Sequence, residues 1–330
     1  MAKRVLVTGA AGFIGSNLAE ALLRRGDAVV GLDNFNDYYP PARKRANARA
    51  LEAYDGFVME KADLRDEEAV AATLRRGEFD AVVHLGAMAG VRYSITRAPL
   101  YTDVNIRGTV NVLEGMRQAG VPHIVFASTS SVYGKTEALP FREDDPLGKP
   151  LAPYPASKIA GELMGYAYHN LFELSFTAVR FFSVYGERGR PDMMPYIITD
   201  SIVKNEVFRL FDAGEMYRDW TYVGDIVDGL VAAVDRPFGY ERINLGRGQP
   251  VRMADFVELV ESLVGKAARM ETPPAPPSEP KITYADISKA QRLLDYRPSV
   301  TVEEGMALFW HWYQEHVLTR SGRASGSSSG

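Results

Sequence analysis

Tyr154 and Lys158 stand four residues apart in Tyr154-Pro155-Ala156-Ser157-Lys158, downstream of a run of hydroxyls, Ser128-Thr129-Ser130-Ser131. Residues i and i+4 share a helix face, so this spacing sets an ammonium beside a phenol. An unperturbed phenol, with a pKa of about 10, is a poor base at neutral pH, and nearby positive charge favours the phenolate. The pair suits removal of a proton from an alcohol, with Lys158 as activator. Tyrosine and lysine at this spacing often share nothing but a helix surface, so the reading depends on what else the chain carries.

It carries a phosphate-binding loop. Thr8-Gly9-Ala10-Ala11-Gly12-Phe13-Ile14-Gly15 lies between an apolar run, 4–8, and an amphipathic stretch, 14–25. That pattern reads strand, turn, helix. Gly9 permits the tight turn, Gly12 lets backbone approach a pyrophosphate, Gly15 allows close helix packing, and the helix N-terminus supplies N–H donors. Asp33 ends the next strand, at about the 20-residue offset of a ribose-binding acid. A carboxylate there accepts from ribose hydroxyls and repels a 2′-phosphate, so the cofactor is read as NAD rather than NADP. Arg43, Lys44 and Arg45 fall on a predicted helix and are expected to be solvated. Asp63 and Leu64 are placed to meet the adenine, Leu85 and Ala87 the pyrophosphate side.

These residues need a sheet to hold them. Further strands are expected at 28–32, 57–59, 81–85, 123–128 and 176–181, with helices over 67–75, 102–118 and 155–172. Strands alternating with helices imply a doubly wound parallel α/β sheet of Rossmann type. The expected division is a cofactor domain over 1–185, with a returning segment at about 222–250, and a smaller substrate-binding α/β domain over 186–221 and 251–318. Prolines make 272–277 an extended linker. Residues 319–330, rich in glycine and serine, read as a flexible tail or cloning remnant.

Composition narrows the function. With 330 residues, 46% hydrophobic and 24% charged, the chain can bury a large core. A net charge of −4 gives no footprint for nucleic acid or an anionic membrane. There is no run of 18 apolar residues and no signal-peptide pattern, so cytoplasm is expected. Without cysteine there is no disulfide or thiolate chemistry. His84, His123, His169, His311 and His316 are scattered, so no metal site is expected.

Over residues 3–316 the chain resembles the extended short-chain dehydrogenase/reductases, and within them the UDP-glucuronate 4-epimerases. The resemblance rests on Leu32-Asp33-Asn34-Phe35-Asn36-Asp37-Tyr38-Tyr39, Ala89-Gly90-Val91-Arg92-Tyr93-Ser94, Asn105-Ile106-Arg107-Gly108-Thr109, Ser131-Val132-Tyr133-Gly134, Gly189-Arg190-Pro191-Asp192-Met193, Arg218-Asp219-Trp220-Thr221-Tyr222-Val223 and Ala285-Asp286-Ile287-Ser288-Lys289. It implies a tightly held NAD, reduced and reoxidised within one turnover, with Phe13, Ile14, Asn34, Asn36, Ala89, Asn105, Ser128 and Phe181 joining the cofactor residues above. Tyr154 would take the 4-hydroxyl proton of a UDP-sugar, Thr129 would hydrogen-bond the same oxygen, and Lys158 would bind the nicotinamide ribose. After the 4-keto sugar turns over, hydride returns to its other face.

On this fold, dehydratases carry Asp-Glu where Ser130 and Ser131 stand, and decarboxylases a Glu where Ser131 stands. Hydroxyls at both positions imply that the ketone is returned by hydride. Ser183 takes a position where neutral-sugar epimerases commonly present Asn and glucuronate epimerases Thr. Arg92 is a further sugar candidate, and Arg190 and Arg218, with Asp192 beside the first, resemble diphosphate ligands. The family's Gly-Asp, whose Asp contacts the uridine ribose, is here Ser278-Glu279, so Glu279 would substitute with a longer reach. The alternatives are a UDP-glucose/UDP-galactose 4-epimerase, a UDP-glucuronate decarboxylase and a non-catalytic NAD sensor. A homodimer through helices 102–118 and 155–172 is implied by the resemblance.

Overall fold

The structure is a computed structural model describing residues 2–276 and 279–319. Strands β1 (Arg4–Thr8), β2 (Ala28–Asp33), β3 (Phe57–Lys61), β4 (Ala81–His84), β5 (His123–Thr129) and β6 (Ser175–Phe181) alternate with helices α1 (Phe13–Arg24), α2 (Pro41–Leu51), α3 (Glu67–Gly77), α4 (Val91–Ser94), α5 (Ala98–Tyr101), α6 (Gly108–Ala119) and α7 (Pro153–Phe172). Beyond them lie β7 (Ser183–Tyr185), α8 (Met194–Lys204), β8 (Val207–Arg209), β9 (Tyr217–Tyr222), α9 (Val223–Asp235), β10 (Tyr240–Leu245), β11 (Pro250–Arg252), α10 (Met253–Val264), β12 (Arg269–Glu271), β13 (Ile282–Thr283), α11 (Ser288–Leu294) and α12 (Val302–Tyr313).

Seven strands form one parallel sheet in the order β3-β2-β1-β4-β5-β6-β10. The order reverses at β1, between β2 and β4, which opens a crevice beyond the strands' C-terminal ends. Side chains alternate across each strand. Val5 and Val7 therefore pack with α1, α9 and α11 on one face, and Leu6 with α3 and α6 on the other. A smaller sheet joins β7, β11 and β13 to β9. Its core is Trp220, Phe256, Met306 and Phe309, supplied by β9, α10 and α12. Residues 320–330 and Ser278 lie outside the described residues, so most of the expected tail and half of the Ser278-Glu279 pair are not seen.

The helix expected over 102–118 is not one regular helix. Residues Thr102–Arg107 form a π turn between α5 and α6. Asn105, inside it, donates to Met88 O at 2.9 Å and to Ser157 Oγ at 2.9 Å, and accepts from Met88 N at 2.8 Å. An apolar-periodicity argument cannot see such a bulge, because a side chain reaching for backbone polar groups sets the local pitch.

Helix α7 lies unusually close to the sheet. A Cβ at Gly161 would come within 2.4 Å of the Phe126 ring, and one at Gly165 within 2.3 Å of the Phe176 ring. Gly165→Val is accordingly expected to destabilise the fold by about 1–3 kcal/mol through overpacking. Denaturant unfolding measures this, and an unchanged midpoint would show that α7 can lift off the sheet at no cost.

Candidate active site

The C-terminal ends of β1, β2, β4, β5 and β6 converge on one cavity. Its walls include Gly9, Gly12, Phe13, Ile14, Gly15, Asp33, Asn34, Asn36, Asp63, Leu64, Leu85, Ala87, Ala89, Ser128, Thr129, Tyr154, Lys158, Phe181 and Arg190. Residues singled out along 180 positions of sequence thus meet in a single space.

The glycine loop is shaped by the absence of side chains. Gly9 has φ +70°, and a Cβ on it would lie 2.8 Å from Gly86 N; one on Gly15 would lie 2.2 Å from Gly9 O. The resulting tight turn delivers the N-terminus of α1 into the cavity without a side-chain cap. Uncapped N–H groups and the positive end of the helix dipole suit a pyrophosphate. The residues present therefore fit a dinucleotide, held at its phosphates by this loop.

Asp33 stands at the end of β2, with its carboxylate accepting from Phe35 N at 2.8 Å. Here the expectation of a solvated Lys44 needs correction. Lys44 is buried, lines the cavity, donates to Asn36 Oδ1 at 2.9 Å and lies 3.9 Å from Asp33 Oδ1. Burial raises the Asp33 pKa and lowers that of Lys44, each offset by the other's charge. Lys44, Ala48 and Leu51 are the buried residues of α2. Their i, i+4, i+7 spacing is the signal that placed Lys44 on the inner face. Asn34 donates to Asp63 at 2.9 Å, and the Asp63 carboxyl, bonded by Arg65, is held well below the usual range. Arg43 faces the other way, over the Tyr196 ring at 4.4 Å.

At the chemical centre Tyr154 and Lys158 project from α7 toward Thr129, the last residue of β5. Thr129 Oγ1 accepts from Ser131 N at 3.2 Å and donates to Ser131 Oγ at 3.3 Å. This fixes the hydroxyl at the start of a 3₁₀ turn, Ser130–Tyr133. Burial raises the Tyr154 phenol; the Arg190 charge and then the Thr129 hydroxyl lower it. Arg190 is thus a cation acting on the phenol that the sequence reading did not assign there. Lys158 is buried over the Phe126 ring at 4.8 Å. Desolvation pushes its ammonium down to about 7, with Glu162 pulling the other way. His84, between Thr8 Oγ1 at 2.7 Å and Thr109 Oγ1 at 3.1 Å, is driven down to about 3 by burial and the Lys158 charge. It is neutral and structural.

Arg190 binds Asp192 through Nε and Nη2, both at 2.9 Å, and Tyr38 donates to Asp192 at 2.9 Å. The loop carrying them is pinned to α1 by Arg188, which donates to Ser16 O at 3.1 Å and Glu20 at 2.5 Å. The cavity wall also holds residues that the candidate set lacked, among them the polar Lys44, Tyr38 and Tyr39. Several candidates lie outside the cavity wall. Asn105 sits behind it, supporting Met88, and Ser130, Ser131 and Ser183 adjoin it in sequence. Arg92, Arg218 and Glu279 form a separate cluster, with Glu279 accepting from Arg92 at 2.8 Å and Arg218 at 3.2 Å. No helix among the described residues is long and apolar enough to cross a membrane, and no cluster of His, Asp or Glu there could hold a metal.

Residues 5–246 match the model of the NAD dependent epimerase/dehydratase family. A UDP-glucuronate 4-epimerase of Thermodesulfobacterium geofontis is 41% identical over 313 residues, covering 94% of this chain and 96% of the relative. The crystal structure of UDP-glucuronic acid 4-epimerase from Bacillus cereus, in complex with UDP-glucuronic acid and NAD, superposes with a TM-score of 0.89 at 34% identity, covering 94% of this chain and 99% of that one. The Thermus thermophilus UDP-glucose 4-epimerase complex with NAD gives 0.86 at 31% identity, over 95% and 100% of the two chains.

The Lys44 geometry makes a prediction. Removing the ammonium leaves Asp33 buried without its counter-charge and frees Asn36. Lys44→Met is expected to weaken NAD binding roughly tenfold, about 1.4 kcal/mol. Titration of cofactor-stripped protein with NAD checks this, and unchanged affinity would remove Lys44 from the cofactor site.

Proposed function

The chain belongs to the NAD-dependent epimerase/dehydratase family, and from that premise we propose that it inverts C4 of a UDP-sugar, interconverting UDP-glucuronate and UDP-galacturonate. The observation carrying this reading is that Tyr154, Thr129, Lys158 and Arg190 share a cavity with the dinucleotide loop. The similarity to UDP-glucuronate 4-epimerases over nearly the whole chain supports the choice of sugar.

Bound NAD supplies the acceptor and the returning donor of the C4 hydride. The protein supplies proton handling and orientation. Tyr154 Oη, as phenolate, takes the proton of the sugar 4-hydroxyl, and Thr129 Oγ1 hydrogen-bonds the same oxygen. Lys158 holds the nicotinamide ribose and contributes a cation to the buried pocket, where charge acts strongly. Hydride loss from C4 makes a 4-keto sugar, and Tyr154 returns the proton when hydride is restored to the opposite face. Ser130 and Ser131 offer no carboxylate to remove a C5 proton or protonate a leaving hydroxyl, so elimination has no acid/base pair.

For a glucuronate the ketone is a β-keto acid prone to lose carbon dioxide, and hydrogen bonds to its carboxylate oppose that loss. Arg190 suits this role better than the diphosphate role its motif suggested. Its charge reaches Tyr154, and its pairing with Asp192 leaves Nη1 out of the bidentate contact. A homodimer is part of the proposal, supported by the exposed Leu163, Tyr166, Leu171 and Phe172 on α7. So is a cytoplasmic setting, which the absence of cysteine suits.

Incubating the purified protein with UDP-glucuronate, without added oxidant or reductant, is expected to give UDP-galacturonate of unchanged mass. Preferential turnover of UDP-glucose would overturn the glucuronate assignment, and release of carbon dioxide the epimerase assignment. Tyr154→Phe is expected to lower kcat by about 10²–10⁴ while retaining NAD; substantial remaining activity would remove Tyr154 as the base.

A further inference from the structure

Lys158 is buried, and its ammonium must remain charged to assist the phenol. The fold places one carboxylate where it can act on that charge. Glu162 is one helical turn after Lys158 on α7, on the same face, and is 2% exposed. It accepts from Arg180 Nε at 2.9 Å and Nη2 at 2.7 Å, and from Ser128 Oγ at 2.5 Å. Arg180 is 0% exposed and lies over the Tyr133 ring at 4.9 Å. Ser128 lines the cofactor cavity. A carboxylate, a guanidinium and a hydroxyl thus form a buried network one turn along α7 from the lysine, and none of the steps above uses it.

We propose that Glu162 is a positioning residue that keeps Lys158 in its ammonium form, with Arg180 and Ser128 fixing the carboxylate's place. The inference rests on the assignment of Lys158 to the reaction centre. Burial is the main force deprotonating Lys158, and Glu162 is the charge opposing it. Other groups around the network do not substitute. His84 on β4 is neutral, Tyr154 is the base itself, and Arg190 acts on Tyr154 with the wrong sign to hold a proton on lysine. Tyr240 on β10 donates to the Glu162 backbone carbonyl at 3.3 Å, and Tyr133 donates to Asn244 at 2.7 Å; burial keeps both phenols protonated. Charges on the other elements against α7 are paired elsewhere: Asp103 with Arg107, Glu114 with Arg117, Arg92 with Glu279 and Glu241 with Lys289.

The sign follows directly. The lysine is active when protonated, so its contribution falls as pH rises through its pKa, and losing Glu162 moves that fall to lower pH. The test compares the NAD-bound wild type with Glu162→Gln by NMR titration of ¹³C-labelled lysine side chains, the Lys158 signal being assigned by its loss in Lys158→Met. The Lys158 midpoint is expected to drop by about one pH unit, a tenfold loss of ammonium above both midpoints. The alkaline limb of kcat should move by the same amount, with KM for the sugar nucleotide little changed. An unmoved midpoint, or a uniform loss of rate without a shifted limb, overturns the proposal. Should the single variant fail to fold with Arg180 unpaired, Glu162→Gln/Arg180→Met is compared with Arg180→Met alone, against which the Lys158 midpoint should fall, and no difference between the two overturns the proposal. The midpoint is read without turnover, so an inactive wild type would count against the proposed substrate and leave this inference to its own result.

Discussion

The site depends on how closely α7 can approach β5 and β6. On the face toward α7, β5 presents Phe126 and then Ser128, and β6 presents Phe176 and then Arg180, with Ser128 level with Arg180 in the register. Each strand changes from ring to polar group as it nears its C-terminal end. The helix matches that change. Gly161 and Gly165 accept the two rings, and Glu162 meets the serine and arginine. Once that match is made, Lys158, one turn earlier, comes over the Phe126 ring, and Tyr154, two turns earlier, comes to the end of β5, where Thr129 stands. Packing register and chemical geometry are one constraint, because a rigid helix cannot satisfy one and miss the other.

Around this contact the charges are buried in compensated sets. Glu162 and Arg180, Asp33 and Lys44, and Arg190 with Asp192 each pair an anion with a cation. Asp219, fully buried, instead accepts backbone N–H bonds from Arg247, Gly248 and Ala285 and a hydroxyl from Thr221. It ties β9 to the turn after β10 and to the chain leaving β13. Replacing such pairs with apolar residues is often neutral or stabilising, so their presence is weak evidence of a stability role. Two of the three pairs line or adjoin the cavity. Their value lies in holding loops and protonation states at the cavity.

The parallel sheet and the cofactor loop were legible because each rests on local rules: apolar strands, helix periodicity, and glycines where backbone must pass close to backbone. Tyr154, Lys158 and Asp33 were legible for the same reason, as residues at fixed offsets from recognisable elements. Lys44 was misread because charge was weighed before helix phase. Its position in the 44, 48, 51 stripe was visible, but a lysine on that stripe is buried only if an acid waits for it, and Asp33 comes from another element. The π turn at 102–107 and the small sheet around β9 were not legible. The first is set by Asn105 reaching Met88 and Ser157, the second by strands of two to six residues whose partners lie up to 65 positions away. Neither leaves a periodic trace.

The departure at Glu279 shows how a non-local cluster absorbs a change of side chain. The resemblance implies a shorter Asp here, directed at a ribose. Glu279 reaches two guanidinia, one on α4 and one on β9, so it bridges elements that share no strand pairing. The two contacts are unequal. Arg92 is 56% exposed and stacks over Phe211, so its ion pair is screened and contributes about 0–1 kcal/mol. Arg218 is largely buried, its pKa is lowered by desolvation, and Glu279 is the anion offsetting that burial. A diphosphate arriving at Arg218 would replace one anion with another and cost the buried arginine little. Glu279, released from Arg218, would still hold Arg92 and could turn its other oxygen to a ribose hydroxyl. The longer side chain is therefore compatible with nucleotide binding because the anion it places on Arg218 is of the kind the ligand brings.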